Sequence, residues 1–458
     1  MKHIIQTFLL LLLAMPLLAQ PQVGSMLIKN GTVITVTNGT LENTDVLIRD
    51  GKIARIGKNL RTPKGVTEID ATGMHVMPGI IDCHSHSGLD AVNEPTNPVT
   101  AEVFMGDAID PLGVGIYRAL AGGVTSIHAM HGSANAIGGE CETLKLRYGT
   151  YNPDDLKMKG APRTIKFALG ENPMRVHGEG RGLQPRTRMG VEQVFRRAFS
   201  EAKEYMKAKE DYAAKKDSDP TALPPKFNSR METLAAILTG DIIIHCHSYR
   251  ADEIYMLLNV CRDFGITKLC FQHVNEGFKV APELAEFGAG ASVFADWWAY
   301  KFEVYYSTAY NAAILTKNGV VTSINSDSGE LIRHLYHEAG KTQRYGGLSD
   351  DEALALITIN PAKQLGVGDR IGSIEEGKEG DIAIFKGHPL SVYAIPMKTI
   401  IDGIVYFDRE SDDADQRLQA DPEQDIPTFR MGERGHHVDA CMEGAYENVR
   451  HLFHYHNK

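Results

Sequence analysis

The sequence predicts an α/β chain: a (β/α)8 TIM barrel with a small β-sandwich domain built from N- and C-terminal segments. Three observations predict it. Apolar, strand-like runs recur eight times between residues 78 and 327, separated by helical patterns. Alternation of this kind builds a parallel sheet, and eight such units close into a barrel whose functional residues sit at the C-terminal strand ends. Short strands with Asn-Gly and Asp-Gly punctuation, read as hairpin signals, precede these runs, and similar strands with glycine turns follow them. Histidines and one aspartate stand at the ends of the apolar runs.

The elements follow in order. Lys2, the apolar run IIQTFLLLLLAMPLLA and Ala19-Gln20 have the layout of a secretory signal over 1–19. The uninterrupted apolar stretch is shorter than the ~20 residues a spanning helix needs, and Pro16 breaks its end. The expectation is an exported, periplasmic protein with no stable membrane association after cleavage. Residues 20–77 form the first part of the sandwich, 78–366 the barrel, 367–409 the second part, and 410–458 a tail that is acidic and then histidine-rich (His436, His437, His451, His454, His456). The tail histidines have no standard metal-site spacing. Barrel strands are read at 78–86, 123–130, 143–147, 164–170, 241–248, 267–274, 290–297 and 319–327. Residues 191–219 read as a long helix leaving the barrel, and 351–366 as one helix ending at Gly366.

Composition narrows the function classes. With 458 residues, 43% hydrophobic, 23% charged and a net charge of -10, the chain has an ordinary globular balance and no long basic block. That argues against nucleic acid and anionic membranes as partners. The expected partner is a small-molecule or small-peptide substrate, and a homo-oligomer is compatible with the composition. The six cysteines, Cys83, Cys141, Cys246, Cys261, Cys270 and Cys441, include no CxxC motif and read mostly as core thiols.

The stretch PGIIDCHSH carries the first chemical signal. On an extended strand Asp82, His84 and His86 share one face. The fifth run ends in His245 and His247, the sixth in His273 and the eighth in Asp327. A single histidine at a strand end is ordinary hydrogen-bonded filling. Several imidazoles and a carboxylate converging at one barrel mouth are a metal site.

These motifs, together with the TINPAKQLG helix, the GSIEEGKEGDIAIF return, and the stretches GSANAIGGE, KFALGENPMRVHGEG and TRMG, resemble the amidohydrolase superfamily of metal-dependent hydrolases, and within it exported imidazolonepropionase-like or prolidase-like members. The resemblance implies that His84, His86, His245 and His273 are metal ligands, and that Asp327 is both a ligand and the general base. His247 is implied as a catalytic group touching substrate, with the two fifth-strand histidines free to exchange roles. Binuclear members bridge their ions through a carbamylated fourth-strand lysine (N6-carboxylysine). Here that is Lys166, with Glu171 as the alternative ligand and Lys145 as a third candidate if the strand count slips by one. Zinc is the default ion, one or two per chain, with manganese, cobalt or iron as alternatives.

A divalent ion lowers the pKa of bound water from about 15.7 towards 7. The expected reaction is attack on an amide or cyclic amide carbon of a small substrate, a dipeptide being one candidate. The alternatives are an imidazolonepropionase-like hydrolase, a lactonase or a deaminase, and more distantly a binding protein without catalysis. Substrate-binding candidates lie on the loops after strands: Arg175, His177, Arg181, Tyr249, Arg250, Trp297 and Trp298, with His128 and His131 near the second strand.

Overall fold

Two sheets organise the chain. The structure is a computed structural model that describes residues 22–297 and 301–412. The leader-like segment, Trp298, Cys441 and the tail histidines lie outside the described residues. In chain order the strands are β1 (Met26–Ile34), β2 (Thr40–Arg49), β3 (Lys52–Gly57), β4 (Thr67–Asp70), β5 (Met74–Pro78), β6 (Ile80–Ser85), β7 (Val124–Ala129), β8 (Ile137–Lys145), β9 (Arg163–Ala168), β10 (Ile242–Ser248), β11 (Leu269–His273), β12 (Gly290–Val293), β13 (Thr322–Ile324), β14 (Ile382–Lys386), β15 (Ile395–Ile401) and β16 (Ile404–Asp408).

The first sheet joins the two ends of the described chain in the order β16-β15-β14-β5-β1-β2-β3, with β4 also pairing β1. Its N- and C-terminal parts meet where β14 lies antiparallel to β5, Ile382 opposite Pro78. The Asp-Gly signal is a hairpin: Asp50 and Gly51 both have positive φ between β2 and β3, as a type I′ turn demands. The Asn-Gly signal is not. Asn30 (φ 60°) and Gly31 sit inside β1 at a register shift against β2. The Asn30 N–H donates to Asp45 Oδ1 at 2.9 Å, and a Cβ on Gly31 would fall 2.7 Å from Val76 Cγ2. The glycine is there for a bulge and a close approach, not for a turn.

The second sheet runs β6 to β13 in sequence order, a nearly closed barrel. All pairs are parallel except those of β8, which is antiparallel to both β7 and β9. The third strand was expected at 143–147 and parallel. It begins earlier because only residues 130–136 separate β7 from β8, and a parallel return needs a crossover of about a dozen residues or more. Reversing the strand moves its last residue, Lys145, to the barrel floor. There the ammonium meets Glu379 Oε2 at 2.6 Å, Asp381 Oδ2 at 2.9 Å and Asp402 Oδ1 at 2.5 Å, a buried clamp between the two sheets. Lys145 is therefore not a mouth residue.

The barrel closes without a β13–β6 ladder. The expected single helix over 351–366 is two, Asp350–Ala355 and Ile359–Gln364. Pro361 has no N–H to continue the first helix onto the Ile357 carbonyl. The carbonyls of Leu356 and Ile357 instead accept from Ile324 N–H and Ile81 N–H, each at 2.9 Å, and tie β13 to β6 at the floor. Around the outside, the helix Arg188–Lys215 buries Val191, Val194, Phe195, Ala198, Phe199 and Ala202 and leaves its second half largely exposed. Phe195 and Phe199 stack on Phe167 of β9.

Candidate metal centre

The end of β6 carries His84, buried, with His86 just beyond it. Asp327, in the turn after β13, lies between them and β11. Its Oδ1 is 3.5 Å from His84 Nε2 and 3.2 Å from His86 Nε2, and its Oδ2 is 3.7 Å from His273 Nε2. The His84 and His273 rings are 4.7 Å apart, as are those of His247 and His273. Lys166 of β9 reaches the group from below, its Nζ 3.1 Å from His84 Nε2. The His86 ring is oriented through Nδ1, 2.9 Å from the Met130 carbonyl.

Two of these side chains depend on unusual backbone. In β10–β11 pairing His247 stands opposite Gln272, and His273 opposite Ser248. Simple alternation would aim His273 away from His247. Its φ of 68° turns the ring into the mouth instead, and Val274 follows at 49°. Asp327 has φ 45°. Non-glycine residues in this region are strained, and such strain collects at functional sites.

Of the two fifth-strand histidines, His247 packs on His273. His245, a layer lower, packs on His128 with ring centroids 4.4 Å apart, and its Nδ1 is 2.9 Å from Gln272 Nε2. Cys83, His128 and His245 form a second close grouping there. Both nitrogens of His128 are already engaged, by the Cys83 carbonyl (3.2 Å) and Thr164 Oγ1 (2.8 Å), so this grouping reads as polar filling of the floor. His245 was expected as the fifth-strand ligand; the structure places His247, two residues further along the same face, level with His273 at the mouth, and His245 a layer lower beside His128. Glu171 is also displaced from the centre: its carboxylate lies 3.4 Å from Lys301 Nζ and 3.5 Å from Arg175 Nη2.

The electrostatics suit a cation. Burial, then the Lys166 charge and neighbouring rings, hold His84 well below the ordinary histidine value. Burial brings His273 down to about 3 despite Asp327 beside it. Burial alone would raise the Asp327 carboxyl. The His86 hydrogen bond and the charges of His273, His86 and Lys166 outweigh it and hold the group at about 2. The result at neutral pH is two neutral imidazoles, His84 and His273, beside an ionised carboxylate. Nδ1 of His84 and both ring nitrogens of His273 are buried without a hydrogen-bond partner, and donor atoms of His84, His273 and Asp327 all lie within 4.8 Å of one another. These donors fit a divalent ion of borderline softness.

The loop candidates divide. Tyr249 is buried, packed between His247 and Lys301, whose Nζ lies 4.0 Å from the ring centroid. Trp297 stacks on Phe294, which stacks on His273. Arg250 forks into Asp252 at 3.0 and 2.8 Å and is spent on that pair. His177 is buried in the turn Met174–Glu179, where desolvation and then Arg181 hold it at about 4. His131 accepts from Glu94 N–H at 3.0 Å and orders a loop. The five described cysteines are free and buried. Sequence reasoning missed Lys301, Phe294 and Gln272, for which no spacing rule exists. It also missed any role for Asp82, although that residue lies in the same motif as the histidines.

A barrel with histidines and an aspartate gathered at its mouth defines a class of α/β-barrel protein whose strand ends could hold a metal ion. Residues 304–411 match the amidohydrolase family. A crystal structure of an amidohydrolase from Thermotoga maritima MSB8 is 34% identical, with a TM-score of 0.77 over 84% of this chain and 100% of that one. The amidohydrolase tasK of Hapsidospora irregularis is 31% identical over 392 residues, 80% of this chain but 40% of that protein, so the chain spans less than half of that relative's length. The imidazolonepropionase of Thermoplasma volcanium is 24% identical over 359 residues, covering 75% of this chain and 84% of that enzyme. The chain belongs to the amidohydrolase family.

Proposed function

We propose that this chain is a metal-dependent hydrolase of C–N bonds in small substrates, with small peptides, N-acyl amino acids and cyclic amides as the classes to test. The observation that carries the reading is Asp327, ionised and buried, with the Nε2 atoms of His84, His86 and His273 within 3.7 Å of its oxygens. His84, His86, His247, His273 and Asp327 would hold one ion or two, zinc by default, with Lys166 as the fourth-strand group. A divalent ion supplies Lewis acidity and a water acidic enough to ionise near neutral pH.

The chain's own residues do the rest. Asp327 accepts a proton on its carboxylate and returns it to the leaving nitrogen. His247, a neutral imidazole beside Tyr249 and His273, serves as the fifth-strand ligand. Tyr249, Phe294 and Trp297 wall the pocket and exclude water. A bare ammonium beside ligands would repel a cation. We therefore place a carboxyl group on Lys166, which turns it into an oxygen donor. The basic-then-apolar segment 2–19 supports export to the periplasm.

The test is purified protein assayed for bound metal and screened against dipeptides, N-acyl amino acids, hydantoin-like and imidazolone rings, and lactones, before and after chelation. Bound divalent metal and chelator-sensitive release of an amine or ring-opened acid are expected. Protein that binds no more than trace metal after supplementation would overturn the reading.

A further inference from the structure

We propose that Asp82 is a positioning residue: it staples the barrel's open seam and so holds His84 and Asp327 in the geometry of the metal centre. The inference deepens the proposed function and rests on it.

The seam is where positioning is needed. β6 and β13 share no ladder, and at the floor they are tied only indirectly, through Ile357 and Leu356. At the mouth the tie must be made by other means, because this is where His84 leaves one strand and Asp327 follows the other. Asp82 supplies it. The side chain is fully buried. Its Oδ1 accepts the His84 N–H and the Ser326 N–H, each at 3.1 Å, and its Oδ2 accepts the Ser326 hydroxyl at 2.5 Å. One carboxylate therefore grips the backbone on both sides of the seam, at His84 itself and at Ser326, one residue before Asp327. Ser326 Oγ in turn accepts from Ser328 N–H at 3.3 Å, which encloses Asp327 from its other side. The Asp327 N–H completes the bracket by donating to the His84 carbonyl at 3.1 Å.

The bracket matches the strain it contains. Asp327 sits at φ 45°, a conformation that persists only when surrounding structure over-determines it. Fixing the backbone on both sides does that. The hydrogen bonds of the Asp82 carboxylate go to the His84 and Ser326 N–H groups and the Ser326 hydroxyl, so it positions the centre through the two residues it pins. Partners of this kind, which orient ligands, typically change metal affinity about 10–100-fold when removed.

The test compares wild type with Asp82→Ala, Asp82→Asn and Ser326→Ala. The readouts are Zn2+ affinity by competition with a chelator, the visible spectrum of the Co2+-loaded protein, and amide hydrogen exchange across residues 322–330 in metal-free protein. Asp82→Ala is expected to lose affinity about 10–100-fold, to change the Co2+ spectrum, and to lose protection at the Asp327 amide. Asp82→Asn keeps an acceptor for both N–H groups and is expected to rescue most of each effect. Ser326→Ala is expected to show a smaller loss in the same direction, and carries the test if Asp82→Ala does not fold. Unchanged affinity, spectrum and exchange in a folded Asp82→Ala or in Ser326→Ala would overturn the proposal. So would equal damage from Asn and Ala. If wild type itself binds no metal, the functional reading fails, and the exchange measurement in metal-free protein still decides the clamp.

Discussion

Replacing Lys145 with methionine separates a floor clamp from a catalytic lysine. The Lys145 side chain is fully buried, and its ammonium touches three carboxylates, those of Glu379, Asp381 and Asp402. Arg370 remains 2.7 Å from Glu379 and Arg147 remains 2.7 Å from Asp402, so Asp381 bears most of the loss. Removing one partner of a buried ion pair is worth about 3–5 kcal/mol, or a melting-temperature drop of about 3–5 °C for a chain of this size.

The pH dependence has a definite sign. Burial already raises Asp381 to about 6 from an ordinary value of 3.8, against the pull of Lys145. Without Lys145 its folded-state pKa rises further. The folded variant then takes up a proton that the unfolded chain does not hold until pH falls below about 4. The deficit is therefore largest at alkaline pH, shrinks as pH falls towards 6, and stays constant below that, where folded wild type binds the same proton. Calorimetric melts of both proteins at pH 8 and pH 5 read this directly, with hydrolysis measured at 25 °C. Equal melting temperatures at pH 8, or a deficit that grows on acidification, would refute the clamp. Loss of turnover in a variant that melts normally would return Lys145 to the chemistry.

Four further outcomes are expected. Glu253, buried and raised to about 7 by desolvation, withholds stability at alkaline pH. The rise from 4.5 corresponds to roughly 3 kcal/mol, so Glu253→Gln should melt above wild type at pH 8 and match it near pH 4.5. His247→Ala should lower metal affinity and turnover, whereas His245→Ala should lower the melting temperature and leave metal content intact. The reverse pattern in metal analysis would restore His245 to the mouth. Asp327→Asn, assayed at saturating metal, should lose about two to four orders of magnitude in kcat, and a kcat within tenfold of wild type would remove it as the proton carrier. Lys166→Gln should abolish the carbamate carbon signal seen by NMR in protein loaded with 13C-bicarbonate. Absence of that signal from wild type would leave Lys166 as an uncarboxylated amine.

What the sequence disclosed is what local pattern encodes. His84, His86, His273 and Asp327 end apolar runs, and a run's end at a barrel mouth follows from strand period and connection length alone. The Asp50-Gly51 hairpin was readable for the same reason. The Asn30-Gly31 pair was not, because its glycine answers to Val76, a residue distant in the chain. Nor was the direction of β8, although the short 130–136 link was in plain view and a count of crossover residues would have found it.

The choice between His245 and His247 shows where pattern runs out. Both lie on one face of one strand, and period-two alternation treats them alike. What separates them is depth: His247 stands level with His273 and His245 a layer below, beside His128. That level is set by β11, whose last residue reaches the mouth only because its backbone adopts φ 68°. Asp327 depends in the same way on φ 45° and on bonds to His84 and, through Ser326, to Asp82. Left-handed residues other than glycine have no signature in residue type, since the strain is held by contacts made elsewhere in the chain. The donors are thus legible one by one, while the geometry that makes them a centre belongs to the closed barrel, and to the seam most of all.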